Sequence, residues 1–165
     1  MDTLRREADL EQAVNTYGHS LLRYCQHILC DYHEAQDAVQ TAFLKAWEGR
    51  EKFQSGTNLS AWLYRLCYTT CMDILRRRKR LLPEPELARR ETSQSDISPE
   101  LRWALEQLSV QERALVFQRV MEGRSYRELA EVYRVPAATL RKRYERARDK
   151  LAQLLSEEGK TDEAE

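Results

Sequence analysis

Residues 122–143 read EGRSYRELAEVYRVPAATLRKR, and the reading of this stretch decides the fold. Ser125 and Glu128 form a Ser-x-x-Glu pair, in which the hydroxyl accepts a backbone N–H three residues on and the carboxylate returns the bond, a specific helix start. Gly123, just upstream, marks a helix stop. A short helix from Tyr126 to Val132 is followed by a turn of three or four residues around Tyr133 to Val135. A second start comes at Pro136, whose fixed torsion and missing N–H suit a first helical turn. That helix runs to Leu155. Leu140, Tyr144, Ala147, Leu151 and Leu154 recur at helical spacing and form its inner face, so Thr139, Arg141, Lys142, Arg143 and Arg146 fall on other faces. A short helix, a tight turn and a longer basic helix are the sequence image of a helix-turn-helix. Arginine grips guanine edges bidentately and lysine neutralises phosphate, so the second helix is the expected reader of DNA. The competing interpretation is a basic helix face that is merely solvated.

Upstream, Ser109 and Glu112 make another capping pair, and Leu101, Ala104, Leu105 and Leu108 share one helical face. Together these define a domain over residues 100–155. Residues 83–99 carry Pro83, Pro85, Ser93, Ser95, Ser98 and Pro99, which remove or compete for helical hydrogen bonds, and are expected to form a flexible linker. Before them, residues 4–82 hold three apolar stripes at helical spacing. The first is Leu10, Val14, Tyr17, Leu21 and Ile28, and the second is Ala35, Val39, Ala42, Phe43 and Ala46. The third contains Trp62, Leu63, Leu66, Cys67, Cys71, Ile74 and Leu75. Three such stripes close one core, and a polar loop at Gly49–Ser60 separates the last two. The expected fold is all-α: two small helical domains joined by a flexible linker, the second a helix-turn-helix.

Net charge is zero, from 27 basic and 27 acidic residues, but the charges are unevenly distributed. Five basic and no acidic residues lie between Ile74 and Leu82, and seven basic residues face only Glu145 and Asp149 between Arg134 and Lys150. Each patch is basic enough for phosphate binding. Residues 156–165 form an acidic tail that is expected to be disordered. No apolar run approaches a membrane span and no signal-peptide pattern is present, so a cytoplasmic protein without membrane insertion is expected. In that compartment Cys25, Cys30, Cys67 and Cys71 should be free thiols. Cys25, His27, Cys30 and His33 are metal-ligand types, but they spread over different faces of one helix, so neither a metal nor a cofactor is expected. No Gly-rich phosphate loop, nucleophile elbow or metalloprotease histidine pair is present, and no catalytic residue is assigned.

Residues Glu122–Ala130 and Val135–Arg143 resemble the promoter-distal domain of RNA polymerase sigma factors of the sigma-70 family. The first domain is similar to the other signature of the compact extracytoplasmic-function group. The matching stretches are Glu34-Ala35-Gln36-Asp37-Ala38-Val39-Gln40-Thr41-Ala42-Phe43-Leu44-Lys45-Ala46-Trp47, Leu59-Ser60-Ala61-Trp62-Leu63-Tyr64-Arg65 and Asp73-Ile74-Leu75-Arg76-Arg77. Two motif sets in this order across a linker are far more specific than a helix-turn-helix alone. The resemblance implies a non-enzymatic factor that binds core RNA polymerase, at the largest-subunit clamp helices and the flap, and directs it to promoter DNA. It implies polymerase docking by Asp37, Gln40, Thr41 and Lys45. It implies minus-10 contacts from the loop residues Gln54, Ser55, Gly56, Thr57 and Asn58 with Arg76 and Arg77, within a phosphate-contacting run from Arg76 to Arg80. Minus-35 contacts would come from Arg124, Tyr126, Arg127, Thr139, Arg141, Lys142, Arg143 and Arg146, and an anti-sigma factor would be a regulatory partner. Trp62 and Tyr64 are candidate stacking surfaces, with Trp62 favoured as core. The chain departs from the family pattern at Gln36, Thr41, Thr69 and Arg134, the last where a turn glycine is usual. Two other classes remain open: a helix-turn-helix regulator acting without core polymerase, and a metal or redox sensor built on the cysteines.

Overall fold

The structure, a computed structural model, describes residues 4–53, 58–81 and 97–163, with side chains as far as Ser156. These residues contain seven α-helices, a short 3-10 turn and no strand. They divide into two compact units on either side of residues 82–96.

In the first unit, α1 (Glu7–Leu29), α2 (Tyr32–Glu48) and α3 (Leu59–Leu81) each pack on the other two. The Asp9 carboxylate accepts the N–H groups of Arg5 and Arg6, which otherwise have no helical partner at the start of α1. Helix α1 stops at Cys30, whose backbone is left-handed (φ 55°) and whose N–H donates to the Gln26 carbonyl at 2.8 Å. Asp31 then caps α2 by accepting the Glu34 N–H. Ala35, Ala38, Ala42 and Ala46 make a fully buried small-residue stripe along α2. Tyr24 of α1 meets Tyr64 of α3 edge to face, ring centres 5.0 Å apart. Two sequence expectations change here. Val14 is 43% exposed, its neighbour Ala13 taking the inner position, and Tyr64 is buried and so offers no stacking surface to a ligand.

In the second unit, α7 (Ala137–Glu163) is the hub on which α4 (Pro99–Glu106), α5 (Val110–Val120) and α6 (Tyr126–Tyr133) pack. Leu115, Leu129 and Leu140, one from each of α5, α6 and α7, form its centre. Both Ser-x-x-Glu pairs form reciprocal capping boxes, at Ser109 with Glu112 and at Ser125 with Glu128. The Arg113 guanidinium donates to the Leu105, Leu108 and Glu106 carbonyls, at and just beyond the end of α4. The Tyr133 hydroxyl donates to the buried Gln118 carboxamide oxygen.

Boundaries differ from the expected ones. Residues 83–96 of the expected linker lie outside the described residues, while its last three belong to the second unit. Ile97 is buried, Ser98 caps the Leu101 N–H, and Pro99 opens α4. Pro136 stands just outside α7, because its carbonyl already accepts the Thr139 and Leu140 N–H groups. Helix α7 also stays helical past Leu155, to Glu163, where a disordered tail was expected. An existing helix lengthens without a new nucleus, and Glu and Lys are good helix formers.

Candidate nucleic-acid interface

Helix α7 separates its residues by function. Leu140 and Ala147 are buried, and Arg141, Lys142, Arg143 and Arg146 are exposed, while Thr139 and Tyr144 are half-buried. The basic residues therefore stand on the first turns of a helix whose other face is fixed by packing. The turn before it is held by Arg134 in the left-handed region, at φ 52° and ψ 44°. Arg127 on α6 is exposed beside this surface.

Arg124 and Tyr126 are less free than the sequence implies. Arg124 pairs with Glu122 at 3.6 Å and with Glu128 at 3.2 Å. The Arg124 guanidinium, followed by the Ser125 N–H and hydroxyl, holds the Glu128 carboxyl below its ordinary range. Tyr126 lies beneath the guanidinium groups of Arg119 and Arg141 and beside the Tyr144 ring. Arg119 was absent from the sequence-predicted site. It belongs to α5, and no helical spacing links it to residues of α6 or α7.

In the first unit, α2 and α3 bound a groove of about 560 Å³. Asp37, Thr41 and Lys45 line it from α2, and Thr70, Asp73, Ile74 and Arg77 line it from α3. Gln40 is exposed on the same helix but does not line the groove. Lys45 donates to the Thr70 hydroxyl at 3.2 Å, which fixes its ammonium group at the groove wall. Thr69 turns its hydroxyl back to the Arg65 and Leu66 carbonyls of its own helix. Along the basic run, Arg76 and Arg77 are exposed, but Arg78 is taken up by an ion pair with Glu34 and by the Leu29 carbonyl. Arg78 thus joins α3 to the α1–α2 junction. Arg78, expected among the phosphate contacts of the Arg76 to Arg80 run, has its guanidinium engaged by a half-buried carboxylate.

Of the expected minus-10 loop, Gln54, Ser55, Gly56 and Thr57 lie outside the described residues. Asn58 caps α3, its side-chain oxygen accepting the Ala61 N–H at 3.2 Å. Trp62 is half-buried and stacked on Phe53, with ring centres 5.1 Å apart and planes 19° apart. Gly49 closes α2 against this ring. A Cβ there would come within 3.2 Å of the Lys45 carbonyl oxygen and 3.6 Å of Trp62. The Arg50 guanidinium covers Trp47 at 3.9 Å. Phe53 and Arg50 were not singled out in the sequence, because their partners are set by the turn after α2 rather than by periodicity.

The cysteines associate differently from their sequence spacing. All four are buried free thiols. Cys25 faces Cys67 and Cys71 rather than His27 and His33. The Cys67 thiol, then the Cys71 thiol, then burial push Cys25 well above its ordinary range. Among the described residues no group of three or more His, Cys, Asp or Glu side chains is arranged to hold a metal ion. No described helix is long and apolar enough to cross a membrane.

Comparisons with known proteins agree with this geometry. Residues 13–81 match the family described as Sigma-70 region 2, and residues 99–151 match the one described as Sigma-70, region 4. The ECF RNA polymerase sigma factor SigM of Mycobacterium tuberculosis is 35% identical over 127 residues, covering 74% of this chain and 64% of SigM. The chain thus spans a little under two thirds of that relative's length. Among solved structures, the sigma factor RpoE in complex with the anti-sigma factor NepR, from Bartonella quintana, superposes with a TM-score of 0.73 at 24% identity, covering 90% of this chain and 97% of that one. CnrH in complex with the cytosolic domain of CnrY gives 0.71 at 26% identity, covering 92% and 90%.

Proposed function

From the premise that the chain belongs to the sigma-70 family, within its extracytoplasmic-function group, we propose that it binds core RNA polymerase and directs promoter-specific transcription initiation. The observation that carries this is the pairing, in one chain and in family order, of a region 2 unit whose groove is lined mainly by charged residues and a region 4 unit with an exposed basic helix. A regulator acting without polymerase is not expected to carry a region 2 unit. In this reading Asp37, Gln40, Thr41 and Lys45 meet the clamp helices of the largest subunit, and the second unit meets the flap. Residues 54–58 with Arg76 and Arg77 engage the minus-10 element. Arg127, Thr139, Arg141, Lys142, Arg143 and Arg146 engage the minus-35 duplex, supported by Arg124 and Tyr126.

Such a protein performs no chemistry of its own and acts in the cytoplasm, where the polymerase is. Its regulator is an anti-sigma factor, as the complexes of RpoE with NepR and of CnrH with CnrY support. The test is run-off transcription with purified chain, core polymerase and candidate promoters. Specific start sites that appear only when the chain is added are the expected result. A chain that neither binds core polymerase nor directs initiation overturns the proposal.

A further inference from the structure

The family resemblance assigns Tyr126 to DNA, yet its ring is already occupied. The central carbon of the Arg119 guanidinium lies 4.3 Å from the ring centre, and that of Arg141, on the exposed first turns of α7, lies 5.3 Å away. Tyr144 flanks the pair, its ring centre 6.3 Å from that of Tyr126 with 62° between the planes. Arg119 is anchored. Its Nη1 donates to the Arg124 carbonyl at 2.7 Å, and it also lies 5.5 Å over Tyr144. Its buried Nε has no hydrogen-bond acceptor, so the aromatic faces take over part of the stabilisation of its charge.

An arginine that reads a base must present a planar fork in register with two acceptors on one base edge. A free side chain samples many rotamers, and ordering it on binding costs free energy that a prior tether removes. An untethered arginine keeps its charge and still finds phosphate, so losing the tether should cost selectivity more than attraction.

We propose that Tyr126, clamped by Arg119, is a positioning residue that holds the Arg141 guanidinium in one orientation before DNA arrives, and so sets base selectivity at the base pair Arg141 reads. This rests on α7 being the minus-35 recognition helix. Arg119 is then a specificity determinant that never touches the DNA.

The experiment uses holoenzyme reconstituted from the full chain and core polymerase, with initiation measured on promoters substituted singly at each minus-35 position. Wild type comes first. If it initiates nowhere, the sigma reading falls, and this proposal with it. If it is selective, Arg141→Ala should flatten the preference at one base pair by about tenfold. Tyr126→Leu should flatten the same base pair, Tyr126→Phe should retain the wild-type preference, and the Tyr126→Leu/Arg141→Ala double variant should lose no more than Arg141→Ala alone. Arg119→Met keeps bulk while removing the cation and its bond to the Arg124 carbonyl. It should weaken the same preference, and it carries the test if Tyr126→Leu fails to fold. Any of three results overturns the proposal: a loss uniform across all minus-35 sequences, additive losses in the double variant, or no position flattened by Arg141→Ala.

Discussion

Arg134 sits in a backbone conformation that a Cβ resists, φ 52° and ψ 44°, at the turn between α6 and α7. The side chain is exposed, so replacing it removes little packing. Arg134→Gly should therefore raise stability by about 0.5–1 kcal/mol, the relief of left-handed strain exceeding the added freedom of the unfolded chain. Thermal unfolding of the two proteins side by side measures it, and a lower midpoint for the glycine variant would contradict the strain argument. Cys25, Cys67 and Cys71 make a second residue-scale case. All three are buried away from a reagent, and neighbouring thiols and burial hold the Cys25 thiol well above its ordinary range, which makes it a poor nucleophile. Ellman's reagent near neutral pH should leave these three unmodified in the folded protein and titrate them on unfolding. That Arg134 stands where a turn glycine is usual was legible from the family resemblance; its left-handed backbone is what the structure adds. The thiol grouping was not legible, because Cys25 reaches its partners across two packed helices while its sequence neighbours His27 and Cys30 diverge around one. Tyr126 was legible as belonging to the site and illegible as to its role, which depends on Arg119 from a different helix.

Helix starts were the most readable elements. Both members of a capping box lie within four residues, so Ser109 with Glu112 and Ser125 with Glu128 could be paired from the chain alone. Prolines were less readable. A missing N–H is compatible with a linker, with a first helical turn or with the residue just before a helix. Pro99, expected in the linker, occupies a first helical turn, and Pro136, expected in a first turn, is the residue just before its helix. Ser125→Ala should destabilise the second unit by about 1 kcal/mol, seen as an earlier urea midpoint at unchanged slope. The partner carboxylate adds a pH signature. With the folded-state pKa of Glu128 below its ordinary 4.5, its contribution is fully present above that pH and is lost as pH falls through the lower folded value. Glu128→Gln should therefore lose stability near neutral pH and show a shallower decline with acid than wild type. An equally steep decline would mean that other carboxylates account for the acid sensitivity.

For the molecule as a whole, zero net charge conceals two basic surfaces that serve different ends. On α3, Arg78 is consumed in holding the first unit together, while Arg76 and Arg77 remain exposed. On α7, Arg141, Lys142, Arg143 and Arg146 all stay outside. Lys142 is the candidate for a pure phosphate contact. Lys142→Ala should weaken holoenzyme binding about equally on all minus-35 sequences and reduce the slope of log affinity against log salt by about 1. A sequence-dependent loss would mark it instead as a base reader. The order of the two units was legible because each carries its own motif set. The groove was only half legible: the periodicity of α2 puts Asp37, Thr41 and Lys45 on related faces, but Asp73, Ile74 and Arg77 join them through the packing of α3 on α2.

On α7, the positions that meet solvent and the positions that meet the core are disjoint, Arg141, Lys142, Arg143 and Arg146 against Leu140 and Ala147. A library randomised at the outer four positions would leave the buried core of the unit untouched. Its members would share one scaffold yet carry different genomic addresses, which is what mutually orthogonal regulators in a single cell require.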